Sequence, residues 1–226
     1  MRVHSLHKWD VSYAEARAVQ EKLRGGVAAG PLPETLRYVA GSDVSYEMHG
    51  DLFFAGVIVW DVETGKVVEE RGAVERVSFP YIPGLLSFRE APVLLKAFEK
   101  VESRVDAVLV DGQGIAHPRG FGLACHICMS LEKPGAGCAK SLLVGEYSEP
   151  AISKGSRADL IHDGKRIGSV LRTRDGVKPV FVSPGHMLGI DESADLVLSC
   201  AVKYKLPEPN RLAHNYVNGL RKRGGL

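Results

Sequence analysis

The run Ala107-Val108-Leu109-Val110 is apolar without alternation and ends in Asp111, followed by Gly112-Gln113-Gly114-Ile115-Ala116-His117-Pro118-Arg119. A short unalternating run rich in β-branched residues reads as a strand buried on both faces, the kind found within a mostly parallel sheet. In open α/β sheets, ligands sit beyond the carboxyl ends of the strands. A buried strand that delivers a carboxylate into a glycine-rich loop therefore marks a candidate site. An Asp-Gly turn with no further role is the plainer alternative.

The flanking chain supplies the rest of such a fold. Ser12-Tyr13-Ala14-Glu15 is a capping-box pattern, Ala16, Val19 and Leu23 repeat at helical spacing, and Gly25-Gly26 stops the helix. Gly30 to Pro33 reads as a linker. Strands are expected over Tyr38–Tyr46, Leu52–Trp60 and Val67–Val77, the last two joined by a turn at Glu63-Thr64-Gly65-Lys66. Pro80-Tyr81-Ile82-Pro83-Gly84 is a loop stiffened by two prolines. A helix follows from about Phe88 to Val101. Ser87-Phe88-Arg89-Glu90 fits a second capping box, which gives Glu90 an ordinary structural role, and Pro92 suits a first helical turn.

Gly122 to Leu131 has helical spacing, with Ala124, Ile127, Cys128 and Leu131 on one stripe, and Ala136 to Ala139 is a short strand before Lys140. Further on, Ala158–His162 and Lys165–Thr173 form a hairpin, Pro179–Val182 a strand and Ser183-Pro184-Gly185-His186 a loop. Helices are expected over Asp191–Val202 and Asn210–Arg221. On the last helix, His214 falls off the apolar stripe of Leu212, Ala213, Tyr216, Val217 and Leu220, toward solvent or a cleft.

Composition narrows the class. A chain of 226 residues with 45% hydrophobic and 25% charged content can bury a core without disulfides or metal staples, and a single domain spanning 1–226 is expected. The net charge of +2 neither demands nor excludes a polyanionic partner. His4, His7, Lys8 and Asp10 interrupt any leader-like stretch after Met1, and no apolar run is long enough to cross a bilayer. A reduced, cytoplasmic compartment and a monomer are the expectations. Cys125-His126-Ile127-Cys128 lacks a second metal-ligand pair, so buried thiols on a helix explain it without zinc.

The element order β-β-β-α-β-α-β, a meander followed by parallel additions, is the ribonuclease H-like arrangement, an α/β fold with a mixed sheet flanked by helices. In it the first and fourth strands are neighbours. Asp43, set among Val39, Ala40 and Val44, would then lie beside Asp111, with Glu90 arriving from the intervening helix. Carboxylates grouped in this way repel one another unless a cation neutralises them. An isolated Asp43 facing solvent at a sheet edge is the other reading.

Seven segments carry a resemblance. They are Gly41-Ser42-Asp43-Val44-Ser45-Tyr46, Pro80-Tyr81-Ile82-Pro83-Gly84, Phe88-Arg89-Glu90, Asp111 to Arg119, Ala139-Lys140-Ser141, Ser183-Pro184-Gly185-His186, and Pro207-Glu208-Pro209-Asn210-Arg211-Leu212-Ala213-His214. Together they resemble the endonuclease V family of deoxyinosine-directed repair nucleases, over nearly the whole chain. Ala91 stands where that family often has Gly, and Ser42 where an aliphatic residue is usual.

The resemblance implies a DNA repair endonuclease that hydrolyses the second phosphodiester bond on the 3′ side of deoxyinosine, leaving 3′-hydroxyl and 5′-phosphate ends. It implies Asp43, Glu90 and Asp111 as ligands for Mg2+, with Mn2+ able to substitute, and Lys140 and His214 as further catalytic groups. Tyr81, Pro83, Gly84, Arg89, Gly112, Gly114, His117 and Arg119 become candidates for reading the lesion or holding DNA. Tyr81 would be a wedge, and the backbone at Gly112 and Gly114 would approach the base. His117 and Arg119 would contact phosphate or brace their loop. The alternative substrate is inosine in RNA.

Overall fold

Three long strands open a continuous sheet: β1 (Tyr38–Tyr46), β2 (Leu52–Asp61) and β3 (Lys66–Arg76). The computed structural model describes residues 1–47 and 50–224. The β2–β3 connection is set by Asp61, whose Oδ1 accepts from the N–H groups of Glu63 and Thr64 at 2.9 and 3.1 Å, and by Gly65 at φ +68°. This is the local bonding by which aspartate and glycine favour turns.

β4 (Ala107–Val110) then pairs in parallel with β1, and β5 (Gly135–Ala139) pairs in parallel with β4. β6 (Arg157–His162), β7 (Lys165–Leu171) and β8 (Val180–His186) complete eight strands in the order β3-β2-β1-β4-β5-β8-β7-β6. The adjacency of first and fourth strands is as expected.

Helices cover both faces. α2 (Ser87–Glu99) and α3 (Leu123–Leu131) pack Val93, Leu94, Ala97, Phe98, Ile127 and Leu131 against one face, where Ala40, Ala55, Val57, Val108 and Val110 point. α4 (Ile190–Cys200) covers the other face, over Val39, Ala107, Leu109, Ala136 and Val182. β4 thus presents alternate residues to two cores, which is why its sequence does not alternate. Each fully buried large side chain, such as Phe98 or Leu109, contributes about 1.5–3 kcal/mol. α1 (Tyr13–Leu23) starts with the expected capping box of Ser12 and Glu15, and α5 (Glu208–Arg223) packs across β1 and β2.

Three local expectations need correction. Ser87 does not cap α2: Leu86 holds that position, no side chain bonds there among the described residues, and Glu90 is not used as a capping-box acid. Pro92 consequently lies in the second turn rather than the first, where it leaves one carbonyl without a helical donor. Ser183 to His186 is not a loop but the second half of β8, paired with β5. The proline is tolerated because β7 pairs with β8 only as far as Val182, so no N–H is called for at Pro184.

Candidate active site

The register of β1 and β4 places two of the acids side by side. Ser42 lies opposite Val110, and the N–H of Asp111 donates to the Ser42 carbonyl at 3.2 Å, so Asp43, within β1, lies beside Asp111, just past the end of the neighbouring parallel β4. Two glycines allow α5 to close on this point. A Cβ at Gly41 would stand 2.3 Å from the backbone of Pro209, and one at Gly56 would stand 3.0 Å from Tyr216. Asn210 fixes the start of the helix by donating from Nδ2 to the Leu109 carbonyl at 3.1 Å.

One turn later His214 meets Asp43, with Nδ1 2.7 Å from Oδ2. Ser45 Oγ donates to Asn218 Oδ1 at 3.0 Å, and Asn218 Nδ2 lies 3.1 Å from His214 Nε2. With the amide oriented in this way, Asn218 donates to Nε2. The ring proton is thereby assigned to Nδ1, which donates to Asp43.

Glu90 comes from the first turn of α2 and is almost fully buried, at 9% exposure. Its carboxyl pKa is pushed up to about 8 by burial first, then by the charges of Asp43 and Asp111. Burial, with Asp111 beside it, also raises Asp43, against the opposing effects of His214 and Lys140. Lys140, just after β5, places Nζ 2.5 Å from Asp111 Oδ2. Burial alone would lower its ammonium pKa, but contact with Asp111 and the charge of Asp43 carry it upward. Asp43, Glu90, Asp111 and Lys140 all border one cleft of about 410 Å³.

Three acids from separate elements therefore share one cleft, and the charges of Asp43 and Asp111 add to the cost of ionising Glu90. Among the described residues, however, no three His, Cys, Asp or Glu side chains close around a single point as they stand. Lys140 and His214 supply the contacts to Asp111 and Asp43 instead. The donor set is oxygen only, which suits a hard divalent cation and not zinc.

The other wall of the cleft is formed by Tyr81, Pro83 and Gly84, with Leu142 and Leu143 also bordering it. Tyr81 is 63% exposed, and the Arg89 guanidinium stands 5.8 Å from its ring centroid while also covering Phe53 and Tyr46. Gly84 has φ +79°, a conformation that glycine takes without strain. Gly112 borders the cleft with φ +153°. Gly114 does not border it: its N–H donates to the buried Ser183 Oγ at 2.9 Å, and a Cβ there would strike the Pro184 carbonyl, so its backbone is spent on packing. His117 and Arg119 brace rather than reach outward. His117 Nε2 lies 3.0 Å from the Gly84 carbonyl, and an Arg119 Nη2 donates to the same oxygen.

Asn218, Ser45, Leu142 and Leu143 were not singled out from the sequence. Asn218 had a signal, since it lies one helical turn beyond His214 on the same face. The four cysteines are buried free thiols, and burial pushes Cys125 up to about 12, far from a metal-ready thiolate.

A family model for Endonuclease V matches residues 21–215. The chain belongs to the endonuclease V family. An endonuclease V of Trichormus variabilis is 47% identical over 214 residues, which cover 94% of this chain and 97% of the relative. The crystal structure of endonuclease V from Streptomyces avermitilis superposes with a TM-score of 0.92 at 39% identity, covering 99% of both chains. That of Ciona intestinalis endonuclease V, in complex with a 24mer DNA containing an inosine followed by a ribo-adenosine, superposes with a TM-score of 0.82 at 26% identity, covering 93% of this chain and 98% of that one. The fold and the membership together make this endonuclease V family chain a nuclease. No helix among the described residues is long and apolar enough to cross a membrane.

Proposed function

We propose that the chain, acting as one catalytic unit over residues 1–226, is a DNA repair endonuclease. It recognises deoxyinosine and hydrolyses the second phosphodiester bond on its 3′ side, leaving 3′-hydroxyl and 5′-phosphate ends. The observation that carries this reading is the meeting of Asp43, Glu90 and Asp111 in one cleft, beside a lysine and a histidine and beneath an exposed tyrosine. The inosine-containing DNA bound by the Ciona relative supports the choice of lesion.

The acids fit a divalent cation of the Mg2+ class, with Mn2+ as a substitute: hard oxygen donors border one cleft in which negative charge is already costly, as the raised carboxyl of Glu90 attests. When bound, such an ion supplies charge neutralisation at the anionic phosphodiester and acidification of water. Asp43 and Asp111 would be the principal ligands, with Glu90 holding or orienting from the buried side. His214, aligned through Nδ1 on Asp43, takes the proton of the attacking water at Nε2, the nitrogen that now faces Asn218. Lys140 moves its charge from Asp111 to the phosphate oxygens. Tyr81 fills the gap left by the unstacked base, and the Gly112 backbone meets the hypoxanthine carbonyl, where adenine would present an amino donor.

Inosine in RNA is the second reading, favoured by the ribo-adenosine that follows inosine in the Ciona complex. One assay addresses both. Duplexes with a single deoxyinosine, and matched oligonucleotides with inosine in RNA, are incubated with and without Mg2+, and the cut is mapped to the nucleotide. Asp111→Ala runs alongside. Metal-dependent nicking at the expected bond, lost in the variant while lesion binding persists, supports the proposal. Normal turnover by Asp111→Ala would remove the metal assignment.

A further inference from the structure

We infer that Gln20 is a positioning residue for the lesion-reading loop: with His117 and Arg119 it holds the Gly84 carbonyl and so fixes the base of the loop that carries Tyr81. The inference rests on the reading of Tyr81 as a wedge. Gln20 lies on α1, outside the cleft, and its side chain is fully buried. Its amide is used completely. Nε2 donates to the Gly84 carbonyl at 3.1 Å and to the Phe121 carbonyl at 2.9 Å, while Oε1 accepts from Arg119 Nε at 2.6 Å. Arginine only donates, so the amide orientation is fixed by its partners.

The Gly84 oxygen consequently receives three donors, from Gln20, His117 and Arg119. The protonation pattern is consistent. His117 must carry its proton on Nε2 to donate there, which leaves Nδ1 to accept from the Arg119 N–H at 3.2 Å. Burial and the neighbouring Arg119 charge keep the ring neutral by lowering its pKa to about 4.

The clamp ties three distant segments to one peptide: residue 20, residue 84 and the 117–121 loop. It also explains the glycine, since a Cβ at position 84 would come within 2.7 Å of Arg119 Nη2. Only the base of the loop is held, because Tyr81 remains exposed at its tip. A wedge entering stacked bases needs a rigid base to push from, because unstacking costs free energy that a mobile loop would not transmit. A base that is already unstacked makes no such demand. Gln20 therefore matters for deoxyinosine in duplex DNA and much less for deoxyinosine in a single strand.

The test compares single-turnover cleavage of duplex and single-stranded deoxyinosine oligonucleotides by wild type, Gln20→Leu and Gln20→Glu, with amide hydrogen exchange of residues 80–86 measured without DNA. We expect duplex cleavage to fall about tenfold in Gln20→Leu, the effect of one to two net hydrogen bonds, with single-strand cleavage changed less than about twofold. Exchange of the loop should rise. Gln20→Glu, which can accept from Arg119 but cannot donate to either carbonyl, should be no better. In a Tyr81→Ala background, Gln20→Leu should add no further duplex loss.

Equal losses on both substrates would mean a merely structural residue and overturn the inference, as would faster loop exchange with an unchanged duplex preference. If Gln20→Leu does not fold, Arg119→Lys, which keeps the charge but lacks the Nε donor, takes its place. If wild type cuts neither substrate, the reading of the reaction falls, and unchanged exchange in the variants would separately refute the clamp.

Discussion

Replacing Glu90 by Gln should make the metal-free protein more stable at neutral pH while abolishing cleavage. The Glu90 carboxyl is almost fully buried, and its pKa of about 8 is far above the ordinary 4.5 because of burial and the charges of Asp43 and Asp111. A raised carboxyl pKa means that the folded state holds a proton which the unfolded state has released. The contribution is therefore fully favourable below pH 4.5 and is lost as pH rises through 8. Between pH 4.5 and 7 the loss at about 1.36 kcal/mol per pH unit comes to about 3 kcal/mol. Gln has nearly the same shape and does not titrate. The variant should match wild type below pH 5, exceed it by about 3 kcal/mol at pH 7, and exceed it further by pH 8.5. At pH 7 that corresponds to a Tm increase of roughly 6–12 °C. Urea unfolding in EDTA at these three pH values measures the difference, and added Mg2+ should narrow it by stabilising wild type preferentially. A difference independent of pH, or a variant less stable than wild type at pH 7, would refute the electrostatic account of the cleft.

Tyr81→Ala should reduce the preference for deoxyinosine over normal duplex at least tenfold while leaving the Mg2+ dependence unchanged; equal losses on both strands would count against the wedge. His117 titrates in the opposite sense to Glu90: its lowered pKa makes stability fall as pH drops from 6.5 toward 4, by about 3 kcal/mol in all, and His117→Gln should flatten that part of the acid limb of an unfolding curve. Gly56→Ala should uncouple α5 from β2 and with it His214 from Asp43, lowering kcat more than KM; an unaltered kcat would show that the close approach is dispensable. Metal analysis of purified protein should find no stoichiometric zinc, since the Cys125 and Cys128 thiols are buried and protonated.

Much of the scaffold was legible because it obeys local rules. β4 reads as buried on both faces from its unbroken apolar run, and the structure sandwiches it between two helical layers. The juxtaposition of Asp43 with Asp111 followed from element order alone, because a meander followed by a helix and a parallel strand leaves few arrangements. The errors have a common source. Ser87 to Glu90 matches a capping box in spelling, but the turn before it is set by Pro83 and Gly84 and by the Leu85 N–H donating to the Ile82 carbonyl, so the helix begins with Leu86 as its cap. Ser183 to His186 spells a loop, yet a partner strand far away in sequence recruits it into the sheet. Gly114 suggests a backbone open to a ligand, whereas tertiary contact uses that absence of a side chain for packing against Pro184.

Hydrogen-bond partners were the least legible layer, and they decide what each polar group in the cleft is free to do. Sequence spacing can place His214 on a face, but only the amide of Asn218, oriented in turn by Ser45, determines which ring nitrogen carries the proton. Asp111 and Asp43 likewise have partners already, in Lys140 and His214. Both partners are half-exposed, at 45% and 48% of their side-chain surface, whereas Glu90 lies in the interior. Basic side chains thus contact Asp43 and Asp111, and the buried Glu90 carries the larger cost, offset only in part by the Arg89 charge. A cation entering this cleft would relieve Glu90 and displace Lys140 toward the position of an incoming phosphate. The same charge arrangement that penalises the empty fold would then favour metal and substrate together.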